Sequence, residues 1–328
     1  MKASRKGLAL AFATTLGLGL AGNASADVYA RGYLLTDDLL ITVSNPDGSN
    51  ALGGAGAFLF STDANASLSN NVDPANGLAQ CGGIFGVFTD CSIAAPVLSG
   101  TVQNAPGGGV VRGESDYTIF GPNGLDYSNA EAEITDATLV NLNPTSVEQI
   151  AESNLVNRRI ASANTSVESS TVLDVSFVVE SEEDEGIFTI EFEAFLDAMA
   201  DVTDPSLGLA QANTSWTLTL RNEGGDIVRW TPDGQSGAVA SCIAGFTCED
   251  EDPFSLNNAL VSSTATPQDA INEDGEFQLT VSGLGSGVYN LALAATTSTQ
   301  VINVPVPGTL LLMGVGLLAA GGLSRRKK

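Results

Sequence analysis

With no histidine among its 328 residues, this chain must do any chemistry with carboxylates, hydroxyls and cysteines. The commonest general base and the commonest metal ligand are missing, which excludes Ser-His-Asp and Cys-His catalysis and zinc hydrolysis of the usual kind. Carboxylates cluster at Glu182-Glu183-Asp184-Glu185, at Glu249-Asp250-Glu251-Asp252, and at Glu273-Asp274 with Glu276. Calcium asks for six to eight oxygens at ~2.4 Å. An acidic loop supplies several, which makes Asp184, Glu185, Asp250 and Asp252 calcium candidates, the one cofactor to consider. No cluster has the D-x-[DN]-x-[DN]-G spacing or an aspartate-rich repeat, so solvated hairpin tips are the simpler account. Paired carboxylates also hydrolyse glycosides. Glu191 and Glu193 are such neighbours, but they fall on the wet face of an alternating segment, where charge protects and solubilises a strand. Gly53–Gly56 and Gly107–Gly109 lack the lysine and helix start of a phosphate loop.

The four cysteines fall in two close pairs, Cys81 with Cys91 and Cys242 with Cys248. Four cysteines allow three connectivities. Two local bridges are expected, because each pair closes a small loop between turn-like residues. The spacings are not CxxC, and without histidine a metal site has nothing to complete it. Trp216 and Trp230 are the only tryptophans. Trp216 shares an apolar face with Leu218 and Leu220 and is expected in the core, while Trp230 beside Thr231-Pro232 is open to a sugar-stacking role.

These residues sit on segments that alternate with period two, the mark of half-buried strands. Leu39, Ile41 and Val43 share a face, as do Leu173, Val175, Phe177 and Val179, and Phe188, Ile190, Phe192 and Ala194. So do Trp216, Leu218 and Leu220; Phe277, Leu279 and Val281; and Tyr289, Leu291 and Leu293. Polar alternate faces point to antiparallel sheets with one face packed and one wet. Ser181–Gly186, Asn222–Asp226 and Ser282–Gly287 read as hairpin loops. One helix is expected from Pro144 or Thr145 through Ser153, where Thr145 would cap three residues before Glu148. The expected fold is all-β, an antiparallel β-sandwich, with a jelly-roll-like arrangement as one option. Residues 44–125 are rich in Gly, Asn, Asp, Ser and Ala, which leaves a sub-boundary near 125 open.

The two ends differ from this body. Lys2, Arg5 and Lys6 precede an apolar run from Gly7 to Leu20 and the small residues Ala24-Ser25-Ala26. That order is a secretory signal peptide, residues 1–26, with signal peptidase cutting between Ala26 and Asp27. The body, 27–302, then holds six arginines, no lysine and all 38 acids, a formal charge of −32. Such a body repels polyphosphate and anionic lipid, so nucleic acid is not an expected partner. At the far end, residues 303–328 contain Val304-Pro305-Val306-Pro307-Gly308-Thr309, a charge-free run from Leu310 to Leu323, and Arg325-Arg326-Lys327-Lys328. A transmembrane helix over 309–324 spans only ~24 Å, with the terminal bases snorkelling and held in the cytoplasm.

Pro box, short apolar helix and basic cluster together resemble the PEP-CTERM sorting signal of Gram-negative bacteria. In that family the box usually reads Val-Pro-Glu-Pro-Ala-Thr. Here Val306 replaces the Glu and Gly308 the Ala, as in VPxP-type variants. The resemblance implies recognition at Pro305 and Pro307 by an exosortase, a membrane transpeptidase-like enzyme, and an association with exopolysaccharide and biofilm. Stretches such as Trp230-Thr231-Pro232-Asp233-Gly234, Asp252-Pro253-Phe254-Ser255-Leu256-Asn257 and Gly287-Val288-Tyr289-Asn290-Leu291 weakly resemble a group of PEP-CTERM proteins without assigned activity. The expectation is therefore a non-enzymatic, exported acidic protein of the cell envelope or extracellular matrix. The alternatives are a calcium-dependent adhesin or carbohydrate-binding module, and a two-carboxylate glycan hydrolase.

Overall fold

The computed structural model describes residues 27–51, 59–70, 77–84, 91–94, 116–122, 124, 127–135, 145–156, 163–181, 185–203, 208–262 and 266–303. In chain order the strands are β1 (Val28–Ser44), β2 (Leu59–Asn70), β3 (Gly77–Ile84), β4 (Cys91–Ala94), β5 (Tyr127–Thr135), β6 (Thr145–Leu155), β7 (Ala163–Val179) and β8 (Gly186–Val202). They continue with β9 (Gly208–Asn222), β10 (Gly225–Trp230), β11 (Gly237–Ala238), β12 (Thr247–Glu251), β13 (Asn258–Val261), β14 (Gln268–Leu284) and β15 (Gly287–Asn303). Two antiparallel sheets result, one ordered β11-β12-β14-β8-β1-β6-β5-β4 and the other β10-β9-β15-β7-β2-β3, with β13 also on β9. Among the described residues, fifteen strands in two antiparallel sheets give the all-β fold that the alternating segments led us to expect.

The sheets face each other across a core set by the period-two pattern. On β8, Phe188, Ile190, Phe192, Ala194 and Leu196 are buried, while Glu191 and Glu193 are exposed. Phe192 stacks on Trp216 of the opposite sheet at 4.8 Å and on Phe277 of its own at 5.1 Å. Phe177 bridges the sheets farther along, 5.8 Å from both Phe188 and Tyr289. Each buried aromatic of this kind contributes about 2–3 kcal/mol of burial. Trp216 and Trp230 are 0% and 1% exposed, so both tryptophans belong to this core.

On β1 the pattern changes phase. Leu34 and Thr36 are buried, then Leu39, Ile41 and Val43. A bulge at Asp37-Asp38 takes up the extra residue, with Asp38 at φ 53°, and turns both carboxylates to solvent.

The helix expected over 144–153 is instead strand β6. It pairs with β1 along one edge and β5 along the other. Two full ladders outweigh one local cap, and Thr145 is simply the first ladder residue. Two of the three expected hairpins are also corrected. Ser181–Gly186 joins β7 to β8 and Ser282–Gly287 joins β14 to β15, and in each case the two strands belong to opposite sheets. Long strands with apolar faces on both sides of a loop pack as an arch across the core as readily as a hairpin. Asn222–Asp226 is a hairpin, with Gly225 at φ 121°.

Candidate functional site

Three places on the sandwich gather polar groups: the pole where the chain enters and leaves, the outer face of the eight-stranded sheet, and a clasp beyond β9. At the pole, Asp27 accepts a hydrogen bond on its carbonyl from Thr203 N, 3.0 Å away, and β1 starts at the next residue. β15 ends at Asn303, opposite Gly208, while Val28 lies against that same glycine. The expected signal cut and the expected sorting box therefore abut ordered strands at one end of the molecule. Ala24 and Ala26, the box Val304–Thr309, the apolar stretch 309–324 and Arg325–Lys328 lie outside the described residues.

The outer face of the eight-stranded sheet is anionic. Glu193 on β8 stands directly opposite Asp37 on β1 and Glu276 on β14. One rung on, Gln278 separates Glu191 from Glu251. Two adjoining grooves of about 310 and 340 Å³ share Glu193 and Glu276, and Leu35 and Phe195 supply an apolar floor to the larger. Like charges placed opposite one another oppose pairing, so this row draws cations toward the face rather than stabilising the sheet. Among the described residues no group of three or more acidic or cysteine side chains is arranged to hold a metal ion.

Farther along the same face, residues 116–121 cross the sheet as a strap over Glu152, which is 0% exposed. Its carboxylate accepts from Tyr29 OH at 2.6 Å, Tyr127 OH at 2.9 Å, Phe120 N at 3.2 Å and Gly121 N at 2.8 Å. Tyr127 OH also reaches Gly121 O at 2.7 Å, and Asp116 N donates to Glu131 at 3.2 Å. Burial, and then the charge of Glu152, push the Tyr29 phenol well above its ordinary value. Burial pushes Glu148 up as well, against the opposing effect of the hydrogen bond it accepts from Tyr33 OH at 2.5 Å. Arg31 holds Asp197 through two contacts, 2.9 Å from Nε and 3.0 Å from Nη2. Sequence reasoning missed this network. Glu148 and Glu152 fell in the segment expected to be a helix, and the alternation of Tyr29, Arg31 and Tyr33 was the signal that could have found it.

The clasp explains the acidic run Glu249–Asp252. Asp250, a calcium candidate, accepts from Trp230 Nε1 at 2.7 Å and Gly237 N at 2.9 Å. Burial raises its carboxyl above the usual range. Asp252, the other, accepts from Asp233 N at 2.7 Å and Gly234 N at 3.2 Å. Asn257 receives Trp216 N at 2.9 Å and donates to Trp216 O and Pro232 O. Two stretches about twenty residues apart, 230–234 and 252–257, are thus one interlocked unit. Of the remaining calcium candidates Glu185 is exposed, and Asp184 lies outside the described residues. Cys242 and Cys248 form the expected bridge, with Cα atoms 5.8 Å apart. The side chains of Cys81 on β3 and Cys91 on β4 lie outside the described residues.

Residues 303–327 match the model of the PEP-CTERM protein-sorting motif. No curated protein matches the chain. Two solved structures, of infectious bursal disease virus strains Gx and Gt, align at a TM-score of 0.10 each. The identities are 10% and 9%, over 90% and 88% of this chain and 82% of each viral chain. A TM-score that low carries no argument about fold or function.

Proposed function

From a chain whose last residues carry a PEP-CTERM protein-sorting motif, the mark of an exported protein sorted by an exosortase-type system, we propose that the β-sandwich is a display body for the outer cell surface or its polymer matrix. One observation carries the reading. β15, a central strand paired on both edges, ends at Asn303, where the motif match begins. Five residues, Val304–Gly308, then separate the sheet from the apolar stretch. At 3.3–3.6 Å per residue they span at most ~18 Å. While the tail is in a bilayer, the pole of the sandwich is held within that distance of it. A central strand is a firm attachment, because detaching it breaks two ladders at once.

The role is non-enzymatic. The groove carboxylates Glu191 and Glu193 are exposed, whereas glycoside hydrolysis needs one carboxylic acid kept protonated by an apolar pocket. A negative surface keeps copies apart and soluble, and the strap and clasp tie down polar loops that would otherwise fray. The association with exopolysaccharide and biofilm belongs to the same proposal.

The test is intact mass and C-terminal sequencing of the protein from native cells, with and without the exosortase. A shortened C-terminus and surface exposure to added protease are expected, both lost without the enzyme. Recovery in the cytosol, with Cys242 and Cys248 reduced, would overturn the reading.

A further inference from the structure

β14 is much longer than the strand beside it. Its 17 residues pair with β8 along one edge, from Gln268 to Leu284. On the other edge β12 pairs only with Gln278–Ser282. The reason is local. Asp252 gives its carboxylate to the clasp, and Pro253 has no N–H for a ladder. The chain leaves the sheet there and lies against Gly275, where a Cβ would stand 2.7 Å from Pro253 Cγ. Among the described residues no strand pairs with Gln268–Asp274 on that side. Backbone N–H and C=O groups of successive strand residues alternate between the two edges, so half of those in this segment face outward in a row that another strand can pair with. The segment stands clear of the body. Gln268, Ala270, Asn272, Glu273 and Asp274 are exposed, while Ile271 packs partly against the core.

We propose that this open edge docks a cationic, extended segment of a partner protein, which adds a strand beside β14 in line with β12. The inference goes beyond the display role and does not depend on it. Charge chooses the occupant. β14 carries four acids, Asp269, Glu273, Asp274 and Glu276, and no base. On β8 and β1, next in the sheet, the only base is Arg31, which Asp197 holds. Acids guard an edge against most strands, because a neutral strand desolvates them and an acidic one sets like charges opposite. A second copy brings the same four acids to the contact, with the rest of a body of six arginines against 38 acids behind them. A strand bearing lysine or arginine reverses the sign. Its basic side chains on the outer face meet Asp274 and Glu276, in the row that Glu193 and Asp37 continue. An apolar side chain on its other face sits beside Ile271. Main-chain hydrogen bonds give such a strand its seat, and the carboxylates select its charge.

The experiment is fluorescence anisotropy of the full-length protein with a labelled peptide that alternates lysine with valine and threonine, at physiological salt. Saturable binding is expected, with hydrogen exchange slowed at every second amide of Gln268–Asp274 and unchanged in β15. A peptide of the same charge with two adjacent prolines at its centre breaks the ladder and should bind about tenfold weaker. The double variant Asp274→Asn with Glu276→Gln should weaken binding about threefold while melting as the parent does. Asp226→Asn, on β10 of the other sheet, should change nothing. Absence of binding overturns the proposal. So does equal binding of the proline peptide, or binding without the alternating exchange protection, since either leaves only a diffuse attraction for cations. Sedimentation as a dimer without peptide, with the same amides protected, gives the edge to a second copy and overturns it as well.

Discussion

Val28 and Gly208 are in contact at the pole where both ends of the folded body leave it. A Cβ on Gly208 would stand 2.6 Å from Val28 Cγ2 and 3.2 Å from Ile302 O. The glycine is what allows the first and last strands to close on the start of β9. Gly208→Ala forces backbone or Val28 to move and should lower stability by about 1–3 kcal/mol. Gly287→Ala, whose Cβ would meet only Tyr289 Cε2 at 4.0 Å, should be nearly neutral. Urea unfolding of the two variants checks this, and equal midpoints would show that the pole is not closed in this way.

Glu152 is the keystone of the strap. Glu152→Ala removes the acceptor of the Tyr29 hydroxyl and of the Phe120 and Gly121 N–H groups, while Tyr127 OH keeps Gly121 O. A loss of about 3–5 kcal/mol is expected, with Glu152→Gln costing less because its carbonyl still accepts. Hydrogen exchange at Phe120 and Gly121 should accelerate in both variants ahead of the core strands.

The pH response has two signs to work out. Burial raises the phenols of Tyr29, Tyr33 and Tyr117, so their contribution is complete below the ordinary tyrosine range and is lost as pH climbs through the raised values. Ultraviolet titration at pH 11 should therefore find at most two of the five tyrosines ionised, the rest following only on alkaline unfolding. Glu148 is also raised, so its contribution is present in acid and lost as pH rises past the carboxylate range. Glu148→Gln should gain on the parent by roughly 2 °C in melting temperature from pH 4 to pH 7. A constant difference across that range would contradict the assignment.

The Cys242–Cys248 bridge closes a short loop, for which chain entropy gives about 2 kcal/mol. Replacing both cysteines by alanine should cost roughly that amount plus a little packing, since Cys248 is buried. The loss should be local, with exchange faster in residues 239–248 and unchanged in β8 and β15.

Asp250 and Asp252 serve as acceptors for neutral N–H groups, which predicts no use for calcium there. Millimolar calcium should leave the melting temperature unchanged, and Asp252→Asn should lower it by about the same amount with and without the ion. A rise with calcium that this substitution abolishes would restore the adhesin reading.

The alternation of Phe188, Ile190 and Phe192, or of Trp216, Leu218 and Leu220, was enough to fix strand type and inward face, because successive side chains on a regular strand point to opposite faces of the pleat. The sorting motif over 303–327 was legible for a similar reason: it is a linear address, read apart from folding. Pairing partners were not legible. Ser181–Gly186 looks the same as a hairpin or as an arch between sheets, and β6 shows its strand character only between β1 and β5, where two ladders override the helix cap at Thr145. Glu152 and Asp252 were hidden for the same cause. A carboxylate is solvated or structural according to which distant N–H and O–H groups surround it, and that is decided only when segments far apart in the chain, such as 120–121 and 152, are brought into one place.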